Sequence, residues 1–420
     1  MRLRIPPPAY YYASFAALPL LGLLQTRILT ALLGPAAYGA LQLVTPLVSW
    51  CVILGGLGTP QFIVRFYSRD GAKVFWEGLS LALSATLVVG LLLGLLALVV
   101  DPGVPEVRPG ALLAVLLVAA VFAGQLGAMV KALLRVQERH LRYNLVLLLE
   151  RAGIVLGVAL AVWGWRHAPV EAFLLGSAVG TIAVLLPVAL GRRRSWRQVA
   201  ILPRSGRLGE ILAFGGPIVA VMILGEMFAT LNRYVIGLAG LGTSAVARYV
   251  IGYTVATLSF QALYEPLATY IHPLVFHAWE RRGQEEAHRI LGRYLRLYAM
   301  IGATAGIGVL LARELLIRLV AGPQYLIDAP VFAALLGSSF LLGFYRLLST
   351  RYYLTRRTGE LALCYLAALA LNLGGAVLLV GRHGLLGVAL ASAASAAVLV
   401  VVVEWRGRAL ARRSRITFPP

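Results

Sequence analysis

Apolar runs long enough to cross a bilayer recur along the whole chain and leave it little choice of architecture. A helix rises about 1.5 Å per residue, so about 20 apolar residues cover the ~30 Å of hydrocarbon. Runs of that order occupy residues 10–33, 38–64, 75–100, 111–134, 143–165 and 170–190. They resume at 212–238, 245–275, 294–311, 331–348, 361–380 and 385–403. Inside hydrocarbon a backbone must satisfy its own polar groups, which a helix does within one segment. The predicted fold class is therefore all-α integral membrane, with about 12 transmembrane helices. Composition agrees, since 60% of the 420 residues are hydrophobic and 13% charged. A soluble domain of this size needs a larger polar surface.

The formal net charge of +21 would point to nucleic acid in a soluble protein. Here its distribution along the chain gives another reading. Every second junction between runs is basic. These junctions hold Arg65, Arg69 and Lys73, then Lys131, Arg135, Arg139 and Arg142, then Arg192, Arg193, Arg194, Arg197, Arg204 and Arg207. The series continues through Arg281, Arg282, Arg289 and Arg293, then Arg351, Arg356 and Arg357, to the tail Arg406, Arg408, Arg412, Arg413 and Arg415. The junctions between them carry only Arg108, Arg166, Arg313, Arg318 and Arg382. With Arg2 and Arg4 included, 27 basic residues fall on one side and five on the other, the positive-inside pattern. Both termini are expected in the cytoplasm, the protein in the inner (plasma) membrane, its surroundings membrane lipids and not nucleic acid. Arg2 and Arg4 precede a run too long for a signal peptide and without a small-residue cleavage site, so the first helix is expected to remain as an anchor.

The Arg-rich stretch around 191–207 leaves six runs on each side. The expected organisation is an N-terminal six-helix lobe (1–195), a basic cytoplasmic linker (196–207), a C-terminal six-helix lobe (208–405) and a basic cytoplasmic tail (406–420). Six crossings return the chain to its starting side, so both lobes enter the membrane in the same sense, as parallel repeats do. The first run ends Thr26-Arg27-Ile28 and is followed by Leu33-Gly34-Pro35-Ala36-Ala37-Tyr38-Gly39. The seventh ends Asn232-Arg233-Tyr234 and is followed by Leu241-Gly242-Thr243-Ser244-Ala245. A polar-Arg pair thus precedes a short Gly-containing turn in both, with a two-residue shift.

The stretch Thr26 to Gly39 resembles the first-hairpin signature of polysaccharide flippases in the multidrug/oligosaccharidyl-lipid/polysaccharide (MOP) exporter superfamily. Gly58-Thr59-Pro60-Gln61 and Arg65-Phe66-Tyr67 are similar to the close of the second helix there, and Asn232-Arg233-Tyr234-Val235-Ile236-Gly237 to the start of the C-terminal lobe. Length and span number resemble the O-antigen and exopolysaccharide branch more than the lipid II flippase branch. The resemblance implies a MATE-like pair of lobes around a central cavity open alternately to either side. The implied cargo is an undecaprenyl-diphosphate-linked oligosaccharide, with a polysaccharide polymerase and chain-length regulator as further partners.

Some charges lie inside the runs: Arg27, Arg151, Arg233, Arg248, Arg296 and Arg346. On insertion scales each costs roughly 2.5–3.5 kcal/mol at a helix centre and less where the side chain snorkels. Snorkelling accounts for Arg296 and Arg346 near cytoplasmic ends, and serves equally for Arg248. Arg27 and Arg233 lie about two turns inside their helices, at equivalent places in the two lobes. A guanidinium offers a planar fork suited to diphosphate oxygens. Arg27, Arg233 and Arg248 are therefore candidate substrate-binding residues; a structural ion pair or a lipid phosphate contact is the competing role. Of the embedded acids, Glu226 and Glu265 are candidates for ion coupling, the alternative being neutralisation of an embedded arginine. Neutralisation is the expected role of Glu150, which as a direct helix neighbour of Arg151 does not face it.

Cys51 and Cys364 sit in apolar runs without metal or redox spacing. No Walker loop, metal constellation or nucleophile elbow occurs, so no cofactor, metal or enzymatic activity is expected. Tyr10, Tyr11, Tyr12, Trp76, Trp163, Trp165 and Trp405 fall at span ends, where an interfacial aromatic belt accounts for them. The alternatives are an ion-coupled multidrug exporter of the same fold and a membrane-embedded glycosyltransferase or polymerase. Cationic drugs call for acidic cavities, whereas the embedded charges here are mostly Arg. The glycosyltransferase reading needs a sizeable outer loop, and the longest, 312–330, offers only Glu314 and Asp328 as acids.

Overall fold

A computed structural model describes residues 8–99, 104, 106–107, 109–137, 140–165, 167–190, 207–355 and 357–417. Most of the expected linker, 196–206, and the ends 1–7 and 418–420 lie outside the described residues. The chain divides into two compact units, Met1–Glu226 and Met227–Pro420.

The first unit holds α1 (Pro8–Leu32), α2 (Pro35–Gly56), α3 (Thr59–Asp70), α4 (Ala72–Val99), α5 (Ala111–Val136), α6 (His140–Gly164) and α7 (Pro169–Leu190). It also holds the first part of α8 (Leu208–Leu238). Its tightest pairing is α6 against α7, and it is made by glycine. Gly153 and Gly157 face Gly180 and Gly176. A Cβ on Gly157 would stand 2.4 Å from the Gly176 carbonyl oxygen, and one on Gly180 2.3 Å from that of Gly153. Two small-xxx-small motifs thus bring the backbones together where no hydrophobic effect drives helix association.

The expected second span, 38–64, is divided. Leu57 (φ 49) and Gly58 (φ 73) leave the helical region, and α3 restarts at Thr59-Pro60. Pro60 falls in the first turn of α3, where a missing N–H costs no helical hydrogen bond. Gly58 is also crowded: a Cβ there would lie 2.5 Å from the Gly215 Cα of α8. Positive φ and this close approach both require glycine. Phe62 and Phe66 of α3 then pack on Phe214, with ring centroids 6.1 and 5.5 Å apart.

The second unit holds the rest of α8, then α9 (Thr243–Arg282), α10 (Gln284–Leu311), α11 (Arg313–Val320), a 3₁₀ turn (Pro323–Tyr325), α12 (Ala329–Leu348), α13 (Thr350–Leu354) and α14 (Thr358–Thr417). α14 is two helices joined at Gly384, whose φ of 54° and ψ of −133° break it. Tyr298 of α10 reaches into the space left by Gly343 of α12 and donates to the Phe340 carbonyl at 3.0 Å. The expected loop 312–330 is largely structured. α11 exposes Leu315 and Leu319 on one side and buries Ile317 and Val320 on the other, with Arg313 and Arg318 both paired to Glu314. That amphipathic pattern is the one adopted at a membrane surface.

Among the described residues nine helices are long and apolar enough to cross a membrane. One of them, Gly359–Arg408, contains the break at Gly384 and so counts as two. The shorter apolar stretch Ala17–Leu32 of α1 and the 40-residue, more polar α9 complete the 12 helices expected.

Candidate functional site

In the first unit, Arg27 is exposed near the end of α1, and its guanidinium has no hydrogen bond or ion pair among the described residues. The helix around it carries back-bonding threonines: Thr26 donates to the Gly22 carbonyl at 3.0 Å and Thr30 to that of Thr26 at 2.9 Å. Gly22 itself lies under Arg151 of α6, whose Nη2 would be 3.3 Å from a Cβ at that position. The direct partner of Glu150 is a lysine and not the arginine the sequence reading expected, although its charge also acts on Arg151 through space. Its carboxylate pairs with Lys131 of α5 at 2.8 Å, both being largely withdrawn from solvent. The direction of its side chain decides this. Glu150 and Arg151 leave the helix about 100° apart, and Glu150 points into the α5 contact, where Gly127 leaves room for it.

A second charged cluster ties the start of α8 to the α3–α4 junction. Arg207 donates to Asp70 at 2.5 Å and to Glu210 at 2.9 Å, with Glu77 at 3.8 Å, while lying over the Phe62 ring. Arg69 donates to Asp70 at 3.0 Å. Hydrogen bonds from Arg69 and Arg207 push the Asp70 carboxyl down to about 2.

In the second unit, Arg233 is half-buried and engaged by a neighbour, as are Glu226, at the end of the first unit, and Glu265. Glu265 accepts a bond from Gln261, one turn earlier, at 2.7 Å. Arg248 is exposed near the start of α9. The structure shows what sets the register of these two arginines. Asn232 donates to Ser392 of α14 at 2.7 Å and to Tyr249 at 3.2 Å, and Ser392 bonds Asn372 at 3.5 Å. All four are buried. Arg233 and Arg248 each adjoin a member of this neutral network, so the bond between α8 and α9 fixes both. Sequence reasoning missed the network. The available signal was that the chain's three asparagines all sit within apolar runs, and two of them, Asn232 and Asn372, meet in this network. Arg346, assigned to snorkelling, is exposed at the end of α12 with Tyr264, Tyr345, Tyr353 and Tyr365 in electrostatic range. Among the described residues no three His, Cys, Asp or Glu side chains gather as metal ligands.

Residues 10–278 match a family described as polysaccharide biosynthesis protein. The chain belongs to the polysaccharide biosynthesis protein family. No curated protein matches it. Among solved structures, this member of the family is similar to an inward-facing multidrug resistance MATE family transporter of the MOP superfamily. The TM-score is 0.73 at 16% identity, over 94% of this chain and 96% of that one. It is also similar to the lipid II flippase MurJ in an inward closed conformation, with a TM-score of 0.76 at 13% identity over 98% and 88%. A MOP superfamily transporter from Pyrococcus furiosus superposes with a TM-score of 0.61 at 15% identity over 94% and 93%. Identities this low show the fold. The family member is thus an all-helical, multi-pass membrane protein with the MOP transporter fold, which is not that of an enzyme family.

Proposed function

We propose that this protein is a flippase that carries an undecaprenyl-diphosphate-linked oligosaccharide from the cytoplasmic to the outer leaflet by alternating access. The observation that carries the reading is Arg27: a cation within a membrane helix, without a hydrogen bond or ion pair among the described residues, in a chain of the polysaccharide biosynthesis family. An embedded cation without a protein counter-charge calls for an anionic ligand. A diphosphate supplies two negative groups at the spacing a guanidinium fork can grip. In this reading Arg27, Arg233 and Arg248 bind the diphosphate, and Glu226 and Glu265 are the groups through which an ion gradient would act. The lobes are 1–195 and 208–405, joined by the linker 196–207. The protein lies in the inner membrane with both termini cytoplasmic, supplying cargo to a polymerase and its chain-length regulator.

The test is export of complete glycan in a strain lacking its own flippase. The wild-type gene restores export, while Arg27→Ala and Arg233→Ala each reduce it at least tenfold at equal protein level. Full export by both variants would sink the assignment. The likeness to a multidrug transporter names the competing outcome, which is drug tolerance conferred without any glycan export.

A further inference from the structure

We infer that Arg151 is a further oxyanion-binding residue, seated at mid-membrane depth in a slot that Gly22 of α1 leaves open. The inference rests on the diphosphate reading above and extends it to a residue on another helix. Arg151 lies 11 residues from the start of α6 and 13 from its end, about 16 and 20 Å along the axis. Neither interface is within reach of a snorkelling side chain, which extends only about 6–7 Å.

Its direction matters as much as its depth. The exposed apolar face of α6 is the stripe Leu141, Leu145, Leu149, Leu156 and Leu160. At about 100° per residue these five fall within a sector of roughly 100°, and Arg151 projects about 130° away from its centre. The guanidinium therefore points away from the lipid-facing side and lies against α1, where Gly22 has no side chain to obstruct it. Arg27 lies five residues farther along the same helix, about 7.5 Å up the axis.

The charge has no direct counter-ion among the described residues, and Glu150 acts on it only through space. Arg151 has no hydrogen bond or ion pair among the described residues. The carboxylate nearest in sequence, Glu150, is committed to Lys131 at 2.8 Å. A cation so placed, without a direct counter-ion, is costly unless a ligand supplies further opposite charge. The fork geometry of arginine selects phosphate oxygens over a simple halide. Phosphate oxygens could come from a prenyl diphosphate passing along α1 or from a phospholipid headgroup, and the two are separable.

The experiment uses the full chain purified into detergent, with farnesyl diphosphate as probe and farnesyl monophosphate and phosphatidylglycerol as competitors. Wild-type protein is expected to bind the diphosphate. Arg151→Gln should weaken binding at least tenfold, Arg151→Lys should recover only part of the loss, and Gly22→Leu should weaken it without changing any charge. Gly22→Leu keeps the test decisive if Arg151→Gln misfolds. Diphosphate affinity unchanged in Arg151→Gln or in folded Gly22→Leu, with Arg27→Ala still weakened, overturns this inference alone. Absence of diphosphate binding by the wild type overturns the flippase reading as well. Equal competition by phosphatidylglycerol marks a headgroup contact and overturns the assignment to cargo.

Discussion

At the residue scale, the charges separate by whether the protein itself answers them. Lys131 and Glu150 answer each other, and Arg207 is surrounded by Asp70, Glu77 and Glu210. Arg27 and Arg151 have no such direct partner among the described residues, although Glu150 acts on Arg151 through space. This difference was not legible in the sequence. Helical spacing gives the face on which a residue lies but not what a neighbouring helix brings to it. The Lys131–Glu150 pair should behave as a buried structural bridge. Lys131→Met alone strands a buried carboxylate and should cost about 3 kcal/mol. The double variant Lys131→Met/Glu150→Leu should recover most of that, because removing both charges removes the desolvation cost as well. Thermal unfolding in detergent reads both; a double variant as unstable as the single one would show that the pair is not what matters.

At the element scale, glycine separates the helices that must touch from those that need not. The motifs Gly153-x-x-x-Gly157 and Gly176-x-x-x-Gly180 are visible in the sequence, but only the structure shows that they face each other across α6 and α7. Gly157→Ala would place a Cβ 2.4 Å from a backbone oxygen, which the helices relieve only by separating. The expected loss is about 1–3 kcal/mol, as for other overpacked contacts. Gly164→Ala, at the end of the same helix with open space around it, should leave the melting temperature unchanged. Equal melting temperatures for the two variants would refute the contact. The same scale explains two departures from the sequence reading. The run 38–64 was continuous in hydropathy, so nothing in its apolar content marked the break at Leu57 and Gly58; the marker was the Gly-Thr-Pro that follows. The segment 312–330 was too short and too charged to register as a span, and its amphipathic period over Arg313–Val320 is what makes α11 a helix.

At the scale of the whole molecule, the alternation of basic junctions sets the expected topology. In a background with Cys51 and Cys364 changed to Ala, a cysteine at exposed Gln324, before α12, should react with an impermeant maleimide in intact cells. A cysteine at exposed Arg282, between α9 and α10, should react only after permeabilisation. The reverse pattern would invert the assignment of both termini to the cytoplasm.

The sequence by itself determined that this chain is a bundle of about 12 apolar helices, because hydrophobic length and arginine alternation are properties of consecutive residues. It also carried the family likeness in Thr26 to Gly39 and Asn232 to Gly237. Tertiary structure decided which charges are satisfied, since a counter-ion for Glu150 or a slot for Arg151 comes from another helix. It also decided the register of Arg233 and Arg248, which Asn232, Tyr249 and Ser392 fix through bonds between residues up to 160 positions apart. Arg27 stands out only when both are read together: its depth comes from the sequence, and its lack of a partner among the described residues from the fold.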